Sequence, residues 1–364
     1  MERRMNMRVI RTNNPSKELW YVYPTHHVVS FTLIAKHHIE QLRKYFKVQE
    51  VPEKGFLNIY PYSYPTVIIH PLLYCTSSNF ELYLDKRTRY KALIGVEVAD
   101  SDRISDVAVN VVNTADCLIV PSIFSKRAYE NSGTKIPIEV VPHGLNKVFY
   151  RRKRRPTNET LKYLYRLKKK GKLIYCLFFL WHSGYRKGAD LVYQVLKEIQ
   201  KTHKNVVLIV KTYNIWDSYM KYLSQLDSFV ISGWLTDDDL VDLYDLCDIY
   251  LLFSRGGGFE LNGLEALARG EIVLASRGGS WDDYLPPESL VDYKRFTTVL
   301  HGNPFHIGKG PELSVEKAIN KLHDIINNID DWKEKYSKYA RKVRREYSWD
   351  RIGKMLKDIV ERYI

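Results

Sequence analysis

Ser254-Arg255-Gly256-Gly257-Gly258-Phe259-Glu260-Leu261-Asn262-Gly263-Leu264-Glu265-Ala266-Leu267-Ala268-Arg269-Gly270 is the stretch that decides how this chain is read. An apolar run, Ile249 to Phe253, has the character of a strand and enters three successive glycines. Apolar residues at helical spacing (Leu261, Leu264, Leu267, Ala268) follow at once. The glycines let the main chain approach a ligand with no side chain in the way. The unpaired N–H groups of a helix that starts there, with its dipole, favour a negative charge. Glu265 falls inside that helix, where a carboxylate needs a partner; Arg269, one turn on, is the plain structural choice. Strand, glycine loop, helix and inward carboxylate together suit a phosphorylated sugar carrier, with amides for phosphates and the carboxylate for hydroxyls. Spacing excludes two other phosphate loops: Gly256, Gly258 and Gly263 do not make G-x-G-x-x-G, and no G-x-x-x-x-G-K-[ST] occurs. A turn kept for packing alone is the remaining alternative.

Outward from this loop, 364 residues imply two domains, each large enough for its own core. A hydrophobic fraction of 45% with 27% charged residues is that of a soluble globular protein. The longest strongly apolar run, Leu173 to Trp181, is nine residues, too short to span a membrane. No apolar stretch of signal-peptide type follows Met1. Cys75, Cys117, Cys176 and Cys247 are far apart and read as core residues of a reduced compartment, not as a metal site or disulfide set. A cytoplasmic enzyme is the expectation. The net charge of +14 is concentrated in one place: residues 151–172 hold eleven Lys/Arg against one acid, Glu159, while the rest of the chain has 45 basic against 41 acidic residues. That segment is a candidate for the anionic inner face of a membrane or another polyanion, with a solvated helix face as the alternative. A nucleic-acid partner is not expected, since it leaves the glycine loop unexplained.

Strands are expected at Met7–Ile10, Val48–Val51, Thr66–His70, Leu93–Val98, Cys117–Val120 and Ile138–Val141, with helices at Val28–Tyr45, Ile104–Thr114 and Ser125–Ser132. Arg151–Arg155, closed by Pro156, has no apolar periodicity and reads as a linker. A second series follows, with strands at Leu173–Phe179, Val206–Lys211, Phe229–Ser232, Ile249–Phe253 and Ile272–Ser276 and helices between them, one at Ile215–Gln225. Such alternation implies two doubly wound parallel sheets, with ligands at the carboxyl ends of their strands. Residues 334–364 read as helical.

Several motifs occur in an order that resembles retaining glycosyltransferase family 4, of the GT-B fold. They are Ala115-Asp-Cys-Leu-Ile-Val-Pro-Ser through Val140-Val-Pro-His-Gly-Leu, Gly184-Tyr-Arg-Lys-Gly-Ala-Asp190, Ser232-Gly-Trp-Leu-Thr-Asp through Phe253-Ser254, Glu265-Ala-Leu-Ala-Arg-Gly270 and Tyr347-Ser-Trp349. The resemblance covers the chain from about Leu93 onward. It implies two Rossmann-like domains facing across a cleft: an acceptor domain (1–150), a linker (151–156), a donor domain (157–340) and a C-terminal helix (341–364) that packs back on the first domain. It also implies a UDP- or GDP-sugar donor, retention of configuration, and no metal or other cofactor. Arg186 and Lys187 would meet the diphosphate, with Lys211 a third cation. Gly256, Gly257, Gly258, Phe259 and Glu265 would bind the donor, Glu265 through ribose hydroxyls.

This chain departs from the family at three positions. Gly257 stands where the family has the first Glu of Glu-x7-Glu, Glu260 where it usually has Gly, and Trp181 where it has Arg, with His182 a partial substitute. Either Glu260 reaches the donor sugar from a shifted loop or main-chain amides replace the lost contact, the amides being favoured. In the first domain His70 ends a strand, His26 and His27 open a helix, and His143 precedes the hinge. Glu97 resembles a Glu of some relatives, and all of these are cleft candidates. Three rivals remain. Asp100-Ser101-Asp102 would serve a metal-dependent GT-A enzyme, though it reads more simply as a helix N-cap. A nucleotide-sugar binder without turnover is the second, and a basic nucleic-acid-binding protein, motivated by residues 151–172, is the third. The acceptor is not legible, because residues 60–80 carry no readable pattern.

Overall fold

The computed structural model describes residues 18–364 apart from positions 27, 28, 60, 62, 63, 182 and 214. The expected strand at 7–10, together with His27 and His182, therefore lies outside the described residues.

Two six-stranded parallel sheets make the two domains. The first contains β1 (Glu18–Tyr23), β2 (Lys47–Pro52), β3 (Thr66–Ile69), β4 (Ala92–Val96), β5 (Cys117–Val120) and β6 (Ile138–Val140), in the order β2-β1-β3-β4-β5-β6. The second contains β7 (Ile174–Leu180), β8 (Val206–Thr212), β9 (Ser228–Ser232), β10 (Ile249–Leu252), β11 (Ile272–Ser276) and β12 (Leu290–Val291), in the order β12-β11-β10-β7-β8-β9. β3, β4, β5, β8, β10 and β11 are buried along their whole length, as strands covered by helices on both faces must be. Strand order reverses between β1 and β3 and between β7 and β10, so crevices open at the carboxyl ends there.

Several expectations need correction. β1 was not anticipated: its run Glu-Leu-Trp-Tyr-Val-Tyr is rich in aromatics rather than branched aliphatics, yet Leu19 to Tyr23 are all buried. The helix expected over 215–225 is confined to Met220–Leu223. An antiparallel pair, β13 (Tyr293–Thr298) and β14 (Lys309–Leu313), was not read at all. The return to the first domain comes later than residue 341. Helix Ile329–Glu346 stays in the second domain because Tyr336, Ala340 and Val343 bury there. Only helix Trp349–Val360 crosses, packing through Ile352, Leu356 and Ile359 into the first-domain core. Trp349 stacks on His37 at 4.6 Å between ring centres and lies over Gly144, where any Cβ would strike the indole. All four cysteines are buried and free. Among the described residues no helix is long and apolar enough to cross a membrane.

Candidate active site

The loops after β7 and β10 meet at the reversal point of the second sheet. The amide of Arg255 donates to the Arg186 carbonyl at 2.7 Å, and the Arg186 guanidinium donates to the Gly256 carbonyl at 2.9 Å. Lys187 Nζ contacts both oxygens of Glu260 at 2.7 Å, and Arg186 lies 3.7 Å from the same carboxylate. Ser254 Oγ donates to Glu260 at 3.1 Å. Burial lowers the Lys187 pKa, opposed by Glu260 and reinforced by Arg186. Residues 186–187 and 254–260 thus form one polar cluster, and Glu265 lies outside it, bonded to Tyr244.

Glu260 is the unusual member. Its backbone is left-handed (φ 57°), a conformation that costs a residue with a Cβ about 1–2 kcal/mol. The strain is held by the Lys187, Arg186 and Ser254 contacts. Its side chain turns back so far that a Cβ added at Gly257 would collide with Oε1. The carboxylate therefore fills the space beside position 257, where the resemblance places a Glu. This differs from the expected takeover by main-chain amides.

The glycines behave differently from expectation. A Cβ at 256 would strike the Asp100 carbonyl, and one at 258 would come within 2.6 Å of Val98 Cβ. What the bare backbone approaches is the first domain. The Gly258 amide donates to Asp100 Oδ1 at 3.0 Å, and Ser122 donates to the Gly258 carbonyl at 2.8 Å. Burial pushes the Asp100 carboxyl up, but Arg186, His306 and Lys187 outweigh it and hold the group below its ordinary range. Asp102 accepts from the Lys309 amide at 2.6 Å. The Asp100–Asp102 pair is therefore no helix cap; Ser105 caps helix Asp106–Val112.

Phe259 is buried and packs edge-on against His143, 4.8 Å between ring centres. Glu265 does not pair with Arg269, which is spent on Asp245 and on the carbonyls of Phe149 and Arg151. It accepts instead from the Tyr244 hydroxyl at 2.8 Å. Burial, with Asp237 adding to it against that hydrogen bond, raises its pKa to about 8. Lys211 ties strand ends together, donating to the carbonyls of Thr212 and Gly233 rather than standing beside Arg186.

The first-domain candidates sit in neutral surroundings. Tyr21 Oη lies 3.0 Å from His70 Nδ1 and 2.9 Å from His38 Nδ1. Burial, then His143, pushes His70 down to about 3. His143 is likewise held at about 3 by burial and His37, and its Nδ1 has no hydrogen-bond partner among the described residues. Glu97 accepts from the amides of Leu73 and Val98 at 2.9 and 3.0 Å, and burial lifts it to about 7. His26 is exposed in the bend after β1.

Several members carried little or no sequence signal. Arg255, 2% exposed, pairs with Asp190 at 2.7 Å and Glu312 at 3.1 Å and lies 4.0 Å over the Tyr185 ring, joining β14 to the glycine loop. Asp190 lies in a recognised motif, but nothing marked Glu312. An aromatic group also stands at the carboxyl ends of β7, β8 and β9: Trp181 stacks on Tyr213 at 4.9 Å and meets Trp234 edge-on at 5.9 Å. All three are exposed, and exposed aromatics so grouped mark a binding surface.

Residues 172–290 match the family Glycosyl transferases group 1. The chain is 36% identical over 356 residues to an uncharacterised protein of Sulfolobus islandicus rod-shaped virus 1, covering 95% of this chain and 99% of that one. It is 28% identical over 291 residues, 78% of each chain, to a protein of the Sulfolobus islandicus filamentous virus whose name assigns it to the glycosyltransferases. The chain belongs to the group 1 glycosyltransferases. Among solved structures, sucrose-phosphate synthase from Thermosynechococcus elongatus superposes with a TM-score of 0.68 at 13% identity, over 95% of this chain and 98% of that one. A UDP-forming trehalose-phosphate synthase from Burkholderia xenovorans does so at 0.65 and 9%, over 95% and 99%. This group 1 glycosyltransferase therefore has the GT-B fold, with the Arg186–Lys187–Glu260 cluster at the reversal point of its second sheet.

Proposed function

We propose that the chain moves a sugar from a UDP- or GDP-sugar to an acceptor with retention of configuration and without a metal ion. The observation that carries this reading is the convergence of Arg186, Lys187 and Glu260 at the sheet's reversal point. As the glycosidic bond to the diphosphate breaks, negative charge grows on the leaving group, and fixed cations stabilise it with little reorganisation. Arg186 and Lys187 would do this, and Glu260 would contact the donor sugar from the space beside position 257. Glu265 would accept from ribose hydroxyls. The Trp181–Tyr213–Trp234 group would stack the base, and the UDP-forming synthase of like fold favours uracil. Neutral His70 and His143 suit an uncharged acceptor hydroxyl better than a second anion.

The donor set supports the reading without a metal: Arg186 and Lys187 would meet the diphosphate, while Asp100 and Asp102 each accept from a backbone amide. Sugar-nucleotide turnover undiminished by excess EDTA is the expected result; loss restored by Mg²⁺ or Mn²⁺ would reject it. For Glu260 the decisive experiment exchanges two positions. Glu260→Gly should lower turnover at least a hundredfold, and Gly257→Glu should lower it further because the two carboxylates collide. The double variant Gly257→Glu/Glu260→Gly should regain most of the activity. A double variant no better than either single one would remove the role given to this carboxylate. Binding of UDP with no turnover across sugar donors would instead favour a non-catalytic binder.

A further inference from the structure

A cavity of about 590 Å³ opens at the amino ends of the second sheet, the end opposite the Lys187–Glu260 cluster. It gathers the hinge residues 150–153, helix Glu159–Gly171, residues 245–248, the last turn of helix Leu261–Arg269 and helix Ile329–Glu346. Eight Lys and Arg side chains line it against two carboxylates, Asp245 and Asp248. Both acids are already satisfied. Arg269 grips Asp245 with two bonds of 2.9 and 2.8 Å, and Lys168 and Lys333 hold Asp248 at 2.7 and 2.6 Å.

Four cations are left over. Arg152 has no ion pair among the described residues. Lys153 has only Asp245, 3.9 Å away. Lys169 rests 5.8 Å over the Tyr165 ring, and Arg344 donates to the Ala268 carbonyl at 2.7 Å. Burial lowers the pKa of Lys153 despite Asp245 and the buried Glu271, and burial with Arg269 lowers that of Arg344. Arg152, Lys153 and Lys169 keep exposed head groups, but five chain segments gather them with half-buried Arg344 around one concavity, where like charges repel one another until an anion arrives.

The eleven cations of residues 151–172 accordingly do not form one surface. Arg151 and Arg154 are paired with Asp238 and Asp242, Lys162 with Glu159 and Lys168 with Asp248. Only part of the segment faces the cavity.

We propose that this cavity binds a ligand carrying two or more phosphoryl groups, at a site separate from the donor cleft. Arg152 and Arg344 supply guanidinium forks, the geometry that suits phosphate oxygens. Lys153 and Lys169 supply point charges, and the volume is that of a small-molecule site. The same chemistry is offered by a soluble polyphosphorylated compound and by a phospholipid headgroup.

The test uses the full chain, with excess UDP present to fill the donor cleft, and sodium tripolyphosphate in isothermal titration at low salt, with two double variants that remove equal charge from the same segment. Arg152→Ala/Lys169→Ala strips the cavity rim. Arg155→Ala/Lys172→Ala strips exposed cations outside it, and all four positions are exposed enough to spare the fold. One saturable site is expected, weakened at least about tenfold in the rim pair and less than about twofold in the control pair, tenfold being 1.4 kcal/mol. Absent or non-saturable binding, or equal weakening in both pairs, overturns the proposal. Vesicles of phosphatidylcholine and phosphatidylglycerol identify the source. Sedimentation with them that tripolyphosphate reverses, and that only the rim pair loses, assigns a lipid headgroup. Indifference to the vesicles beside saturable tripolyphosphate binding assigns a soluble ligand.

Discussion

The carboxyl-end loops of the two sheets are built from opposite materials. In the second domain, Lys187 and Arg186 converge on Glu260, and Arg255 on Asp190 and Glu312, all in formal ion pairs. In the first, Tyr21 lies between two imidazoles, His38 and His70, which burial keeps uncharged. The Lys187–Glu260 side suits a reactant that carries or develops charge and the His38–Tyr21–His70 side one that stays neutral, with Asp100 of the first domain lent to the charged side. The proposed diphosphate leaving group and hydroxyl acceptor would demand this division, and it arises from side-chain choice, because the two sheets are alike.

The contrast breaks first at Glu260. Glu260→Ala leaves Lys187 unpaired in a buried site, and breaking such a pair costs about 3–5 kcal/mol. Urea denaturation should show that loss, whereas His70→Gln should cost clearly less. Equal losses would mean that the two halves are not differently charged in any energetic sense. Glu265→Ala should come next, weakening UDP or GDP binding above about pH 8, where the carboxyl is ionised, by about 1.5–3 kcal/mol, the range for a hydrogen bond to a charged group. An unchanged affinity would detach that residue from the donor.

A pH series sharpens the picture. With a folded pKa of about 8, above the ordinary carboxylate value, Glu265 binds its proton more tightly in the folded chain. Its stabilisation is complete below about pH 4.3 and is lost as pH rises through about 8. The stability difference between the wild type and Glu265→Gln should shrink in the wild type's disfavour over that window; a difference flat with pH would contradict it. Buried neutral histidines act with the opposite sign, since His70 and His143 lose their contribution as pH falls from about 6.5 through about 3. The smallest effect is expected from Trp234→Ala, about 1 kcal/mol in nucleotide affinity, the low end for an aromatic–base stack.

The second domain was far more legible in the sequence than the first. Its glycine loop, Arg186–Lys187 and Glu265 lie in local motifs where spacing along the chain predicts proximity. Even so, the use of Gly256 and Gly258 was misread, because what they approach is Val98 and Asp100 from another domain. The same holds for Glu312, brought to Arg255 by a hairpin whose residues have no strand-like alternation. Tyr21 and His38 escaped notice because a tyrosine in a strand and a histidine in a helix look like any others until burial joins them. Glu265 was found, but its partner was not: Tyr244 lies on the preceding helix, out of reach of any i,i+4 rule.

The junction between the domains has a mechanical consequence. The outgoing strand of backbone and the returning one are bonded to each other, Leu145 N–H to the Tyr347 carbonyl at 2.7 Å, and the Trp349 indole is anchored to Asn146 Oδ1 at 3.3 Å. Two crossings fastened side by side act like the leaves of a door on a common pin. Fastened so, they restrain sliding and twisting of one lobe on the other and keep the same pairs of loops face to face across the junction.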